Sequence, residues 1–241
     1  IAVRVFTPTI EGSGYELDGL VIETVMPDQS FIYDTMKLTL EQLGARVLNE
    51  MRVVLPVAFA GTGAERRPIS IGESSPGAEG FGYTRWFVSE EGLDPRQVER
   101  EVTERLTLAR AMVADFNRMQ REIRAVVNEY DYFAKLPHAP TAECLEVRDF
   151  LEWLLDHNFV LMGTSVIAKN PSNTAAVLSK SPERTLGLAR FSRALPVEPD
   201  ELAFLDAAEL QTPLARVHKS SVDSLLHRRG KVDAILVKLF D

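Results

Sequence analysis

Between residues 96 and 136 the chain contains neither glycine nor proline. No other feature constrains the fold as strongly, because the two residues that most readily interrupt a helix are missing from a long amphipathic stretch. Apolar or aromatic side chains recur at Ala109, Phe116, Ile123 and Tyr130, and again at Leu106, Val113 and Val127, with Gln120 breaking the second row. That is a heptad-like stripe. Pairs such as Glu101 with Arg105 support its exposed face. At about 1.5 Å per residue an unbroken helix here would reach roughly 60 Å. Two helices joined by a kink are equally compatible with the pattern. The stripe fits a helix packed along its own domains, and it also fits a coiled coil with another chain.

The punctuation on either side divides the chain into three expected parts. Residues 1–93 form a first domain and hold most of the 14 glycines. Val3-Arg4-Val5-Phe6 and Leu20-Val21-Ile22-Glu23-Thr24-Val25 read as strands. Ser30 is placed to cap a helix carrying Ile32, Met36, Leu40 and Leu43 on one face, and Gly44 stands where a helix end wants a left-handed residue. A long strand follows over residues 47–59, with Val53, Leu55, Val57 and Phe59 on one side. Residues 61–82 are polar and glycine-rich and read as a loop, and residues 83–89 as a further strand. Strand, helix, strand, strand and helix is the ferredoxin-like order. Residues 94–136 are the helical connector.

Residues 137–241 read as a second, mixed α+β domain with an antiparallel sheet. Thr141 is placed to cap a helix with Leu145, Leu151, Leu154 and Leu155, ending near His157-Asn158. Strands are expected over 159–168, 175–178, 186–191 and 214–218, and in the closing run Ala234-Ile235-Leu236-Val237-Lys238-Leu239-Phe240. The connections are too short for many parallel crossovers. A chain that starts at Ile1 and ends on a strand reads as a piece of something longer, so the second domain is expected to continue past Asp241.

A formal charge of −8 argues against nonspecific nucleic-acid binding. The single cysteine, Cys144, cannot form an internal disulfide, and no apolar run approaches a membrane span. A cytoplasmic protein with neither nucleic-acid nor membrane partner is the expectation. Gly61-Thr62-Gly63-Ala64-Glu65-Arg66 begins like a dinucleotide turn but lacks the third glycine, and Arg66-Arg67-Pro68 cannot open the helix that would hold a pyrophosphate. No Walker loop occurs. His138, His157, His218 and His227 have no partner at metal-ligand spacing, and no serine sits in a nucleophile elbow. We therefore assign no catalytic, cofactor-binding or metal-ligating residue. Lys219, His227, Arg228 and Lys231 form a basic stretch that reads either as a solvated turn before a strand or as an anion or interdomain carboxylate site.

Several segments, in order, resemble the N-terminal region of the large bacterial NAD-specific glutamate dehydrogenases. They are Ser30-Phe31-Ile32-Tyr33-Asp34-Thr35, Phe150-Leu151-Glu152-Trp153-Leu154, Asn158-Phe159-Val160-Leu161-Met162-Gly163 and Leu186-Gly187-Leu188. Leu226-His227-Arg228, Asp233 and Val237-Lys238-Leu239-Phe240-Asp241 complete the series. Ser30 replaces a proline of the family's pattern, and Leu55-Pro56 stands where His-Pro is usual. The resemblance implies a parent enzyme that oxidises L-glutamate to 2-oxoglutarate and ammonium with NAD, its catalytic domain lying downstream. It implies an ACT-like first domain and a PAS-like second one, serving homo-oligomer contacts and regulation, and inactive alone. The alternative is a free-standing ACT-type sensor of an amino acid or other small ligand. An ACT-type effector loop would comprise Asp28, Gln29 and Ser30, with Phe31 about where such loops carry a glycine. A ring there would fill the ligand's space.

Overall fold

The structure is a computed structural model that describes residues 1–89, 92–169, 178–191, 204, 213–227 and 229–240. Contacts divide the chain into two units, Ile1–Arg110 with Leu225–Arg229, and Ala111–Ser224 with Gly230–Asp241. The boundary falls inside a single helix, α3 (Pro95–Phe133), rather than at its ends. Asp94 starts it by accepting the Arg96 N–H at 3.1 Å, and Pro95 occupies the first helical position, where its missing N–H costs nothing. With no residue to kink it, the stretch forms one helix and not two.

The first unit is built on an antiparallel sheet of β1 (Ala2–Phe6), β2 (Leu20–Pro27), β3 (Val47–Ala60), β4 (Arg67–Ile71) and β5 (Glu79–Val88), in the order β1-β2-β5-β3-β4. A single-turn helix, α1 (Ile10–Ser13), joins β1 to β2. Helix α2 (Ile32–Gln42) crosses from β2 to β3, leaving a gap that β5 fills. From β2 the order is strand, helix, three strands and helix, one strand more than expected, and β1 takes the edge beside β2. Residues 61–82 are not all loop: β4 and the start of β5 lie there. The sequence hides β4 because it is an exposed edge strand bulged at Ile69, and Pro68 is tolerated on such an edge.

Leu20, Ile22 and Met26 of β2, with Trp86 and Val88 of β5, pack against Ile32, Met36 and Leu40 of α2 and Val98, Val102 and Leu106 of α3. Thr24 and Thr84, opposite each other in register, share a buried 2.7 Å hydrogen bond, and the Trp86 indole donates to Thr84 at 3.1 Å. Helix α2 ends as expected. Gly44 has φ 75°, its N–H reaches Glu41 O at 3.1 Å, and the Ala45 N–H reaches Leu40 O at 2.9 Å, which satisfies two terminal carbonyls. Its start differs: Ser30 is exposed, and the cap position belongs to Phe31, because the Thr35 N–H bonds Phe31 O.

In the second unit Val127, Tyr130 and Ala134 of α3 pack with Cys144, Val147, Leu151 and Leu154 and with Leu214, Ile235, Val237 and Phe240. Helix α4 spans Thr141–Trp153. Thr141 is its first residue rather than its cap, and its hydroxyl donates back to Ala134 O at 3.0 Å. The helix ends in a wide turn through Leu154–Asn158, with His157 at φ 59°. The strand expected over 159–168 is two short ones, β6 (Gly163–Thr164) and β7 (Ile167–Lys169). Strand β8 is Leu178–Lys180, and residues 175–177 lie outside the described residues. The expected strand over 186–191 shrinks to β9 (Leu186–Gly187), because Gly187 at φ 57° turns the chain into Leu188–Arg190.

Strands β10 (Ala215–Asp223) and β11 (Lys231–Val237) form a hairpin ladder. Among the described residues the expected antiparallel sheet is three two-stranded ladders, β6-β9, β7-β8 and β10-β11. The mixed α+β class with antiparallel pairing holds. Half of the heptad stripe is core: Leu106, Ala109, Val127 and Tyr130 are buried, whereas Val113, Phe116 and Ile123 are half-buried. No helix among the described residues is long and apolar enough to cross a membrane.

Candidate functional site

The segment after β2 is held by the chain's own groups. The Asp28 N–H donates to Gly80 O at 2.8 Å, and the Asp28 carboxylate accepts from the Arg52 guanidinium at 2.9 Å. The Gln29 Nε2 is buried without a hydrogen-bond partner among the described residues, as is the hydroxyl of Thr35 on α2.

Phe31 follows at φ 69°, a left-handed conformation that glycine adopts freely and a phenylalanine does not. A second strained residue lies against it. His227, at φ 70°, meets the Phe31 ring edge-on at 5.2 Å between centroids, and its Nδ1 is 3.5 Å from Asp34 Oδ2. Leu226 beside it is fully buried, and Leu225 O accepts from Arg105 at 3.2 Å. Two non-glycine residues at positive φ in direct contact imply that the surrounding packing outweighs a cost of about 1–3 kcal/mol each. Read from the sequence, Asp28, Gln29 and Ser30 belong to an effector loop and His227 to the distant basic stretch. The structure brings His227 to the residue that follows Ser30.

The basic stretch resolves differently. Lys219 stands opposite Asp233 in the β10-β11 register and pairs with it at 2.5 Å. Lys231 stands opposite Asp223, pairs with it at 3.2 Å, and donates to Ser221 O at 2.5 Å. These are cross-strand ion pairs, so both lysines already have carboxylates within their own hairpin. Arg228 lies outside the described residues.

A buried polar node in the second unit went unnoticed in the sequence. Asp115, on the inner side of α3, accepts two contacts from Arg190, Nη2 to Oδ1 at 2.8 Å and Nε to Oδ2 at 2.8 Å. It also accepts the Gly187 N–H at 2.8 Å. The signal was local: Asp115 is a lone acid in the apolar run Ala111-Met112-Val113-Ala114-Asp115-Phe116. Its partner lies beside the Leu186-Gly187-Leu188 run.

Catalytic groups need pKa values tuned toward the working pH. Here burial, a hydrogen bond to Glu23 and that residue's charge push the Tyr83 phenol up to about 12. Tyr130 is raised mainly by burial, Tyr33 mainly by its 2.5 Å hydrogen bond to Glu50, and the Cys144 thiol mainly by burial. Lys135 and Arg148 hold Asp131 below the usual carboxylate range, and Asp149 raises Arg148. Each shift stabilises the form the group already has near neutrality. The Gly61-Thr62-Gly63 turn joins β3 to β4 in a hairpin and opens no helix of the kind that holds a pyrophosphate. Among the described residues no group of three His, Cys, Asp or Glu could hold a metal ion.

No protein-family profile matches the chain. A curated relative, the NAD-specific glutamate dehydrogenase of Pseudomonas aeruginosa, is 27% identical over 244 residues that take in 99% of this chain. The chain is homologous to the large NAD-specific glutamate dehydrogenases. The NAD-specific glutamate dehydrogenase of Halomonas elongata matches at 25% identity over 196 residues, 79% of this chain. The chain spans 15% of the length of the first glutamate dehydrogenase and 12% of the second. The homology covers both units, so the resemblance read from short segments is carried by nearly the whole chain.

Proposed function

We propose that the chain is a non-catalytic regulatory and assembly segment of an NAD-dependent glutamate dehydrogenase. In this reading the first unit is an ACT-type module and the second a PAS-like one. The parent enzyme oxidises L-glutamate to 2-oxoglutarate and ammonium with NAD in the cytoplasm, using a catalytic domain elsewhere in the same polypeptide. The observation that carries the reading is homology across 99% of the chain to an NAD-specific glutamate dehydrogenase more than six times as long. Homo-oligomeric contact is the assembly role.

The first unit serves as an assembly module that has lost effector binding. Three features support this: the Asp28–Arg52 ion pair, the Phe31 ring, and His227 packed upon it. Two measurements test the whole. Glutamate-dependent NADH formation is expected only from a polypeptide that also carries the catalytic domain, and turnover by these 241 residues alone would overturn the non-catalytic reading. Calorimetry with amino acids is expected to give no heat. A stoichiometric amino acid bound by the chain, and lost in Asp28→Ala, would overturn the loss of effector binding.

A further inference from the structure

One side of α3 faces solvent through its middle turns, and its residues repeat. Arg110, Ala114 and Asn117 recur eleven positions later as Arg121, Ala125 and Asn128, and all six are exposed. Eleven residues make almost three full turns, so the two sets stand in line along the helix instead of winding around it. At 3.6 residues per turn the six fall within an arc of about 80°, over a length of about 27 Å. Packing within the chain does not account for this repeat, because none of the six side chains is buried.

The charge on this side has one sign. From Thr107 to Asn128 the exposed positions hold four arginines and no carboxylate, in a chain whose acids outnumber its lysines and arginines 35 to 27. Arg118, Arg121 and Arg124 follow one another at i, i+3, a spacing at which like charges repel. An acid three or four positions away would offset that cost, and Arg110, Arg121 and Arg124 have none on either side. These three make no ion pair among the described residues, whereas Arg105 on the same helix pairs with Glu101 at 3.5 Å. Arg118 donates to a carbonyl, Glu183 O at 3.1 Å, and Glu122, four positions after it, is paired with Arg184 at 2.8 Å.

Shape and charge together select the partner. A bilayer surface needs an apolar face, and no large apolar side chain is exposed on α3 between Thr107 and Asn128. A nucleic-acid duplex would reach past the narrow arc to Glu122 and Glu129 beside it, and the chain's charge of −8 opposes it. A second copy laid antiparallel with its alanines opposite Ala114 and Ala125 would set Arg118 against Arg121 on both sides of the axis. A straight helix bearing acids meets every one of these conditions.

We propose that the exposed Arg110–Asn128 side of α3 is the docking surface for a partner helix that presents aspartate or glutamate at matching three-turn intervals. Ala114 and Ala125 are the floor on which the helices meet, and such short side chains favour the near end of the 8–10 Å range of interaxial distances. The arginines pair with its carboxylates, where their planar forks can engage two oxygens at once. The inference goes beyond the assembly role and does not depend on it.

The test titrates the 241-residue chain against a synthetic alanine-based helical peptide with glutamates at eleven-residue intervals, read by fluorescence anisotropy. A peptide with the same glutamates in scrambled positions, one with lysines in their place, a short DNA duplex and vesicles of phosphatidylcholine with phosphatidylserine are titrated in parallel. Saturable binding of the glutamate peptide is expected, at least about tenfold weaker for the scrambled peptide and for Arg110→Glu with Arg121→Glu. The lysine peptide should bind that variant and not the natural chain. Both substitutions lie at exposed positions, and circular dichroism checks that the variant is folded. No saturable binding of the glutamate peptide up to about 1 mM would overturn the proposal. So would equal binding by the scrambled peptide or by the variant, and so would tighter binding of the duplex or the vesicles than of the peptide.

Discussion

Gly187→Ala isolates what a close backbone approach contributes to the second unit. Gly187 has φ 57° and ψ −136°, a combination essentially restricted to glycine, so an alanine there costs about 1–3 kcal/mol in strain alone. The added Cβ would also stand 2.4 Å from Met162 O, 3.1 Å from Gly163 Cα and 3.2 Å from Met119 Sδ. Met162 O cannot yield freely, because it accepts the Leu188 N–H at 2.9 Å. The segment must move instead, which stretches the 2.8 Å bond from the Gly187 N–H to the Asp115 carboxylate. A hydrogen bond to a charged group contributes about 1.5–3 kcal/mol. The total is therefore about 3–5 kcal/mol, a large share of a domain's stability. Gly77→Ala is the control: its φ is 84° but a Cβ would meet nothing within 4 Å, so only the strain remains, about 1 kcal/mol. Thermal denaturation followed by circular dichroism should show Tm falling by about 10 °C for Gly187→Ala and by about 3 °C for Gly77→Ala. Amide exchange in β6 and β9 should quicken only in the first. Equal losses in the two variants would refute the claim that close approach, not conformation alone, requires glycine at this point.

Two further outcomes are expected. Phe31→Gly relieves a left-handed φ and Phe31→Ala does not, although both remove the ring from His227, so the glycine variant should be the more stable by about 1 kcal/mol in urea unfolding. Alanine equal to or better than glycine would mean that the conformation carries no strain. The Tyr83 phenol, raised to about 12 chiefly by burial and then by Glu23, binds its proton more tightly in the folded state than in the unfolded one, where the value is about 10. Its contribution to stability is thus fully present below about pH 10 and is lost as the pH rises toward about 12. A spectrophotometric titration should show a late-ionising tyrosine that disappears in Tyr83→Phe, and an unchanged late limb would contradict the assignment.

Much of the first unit was readable because short-range chemistry decided it. The α2 apolar face and the Gly44 terminus need only helical spacing and one residue that tolerates positive φ, and both are present locally. The row Val53, Leu55, Val57 and Phe59 was legible too, but its destination was not. Alternation tells which residues share a face, and only the strand register tells that this face lies away from the helices. The start of α2 misled for a similar reason: Ser30 has the right chemistry for a cap, yet the packing of Phe31 with His227 fixes the turn one residue later. Strand β4 stayed hidden because an edge strand needs neither a buried row nor a full set of donors.

The basic stretch from His218 onward shows the limit of charge as a sequence signal. The charges left open a solvated turn before a strand or an anion or interdomain carboxylate site, and hairpin register set Lys219 on Asp233 and Lys231 on Asp223. Sequence by itself determined the mixed α+β class, the helical character of the glycine- and proline-free stretch and the kinship with glutamate dehydrogenases, while the structure decided that the stretch is one helix. Each of these depends on composition, period or ordered short matches along one chain. Tertiary structure alone decided that Phe31 meets His227, that Asp115 is internal and bound to Gly187 and Arg190, and that Val25, Met51, Val53 and Ile71 lie exposed on the sheet. Those facts join residues dozens to nearly two hundred positions apart. Local sequence carries no signal for such pairings, because the free energy that selects them comes from burial and hydrogen bonding achieved only once the elements have packed.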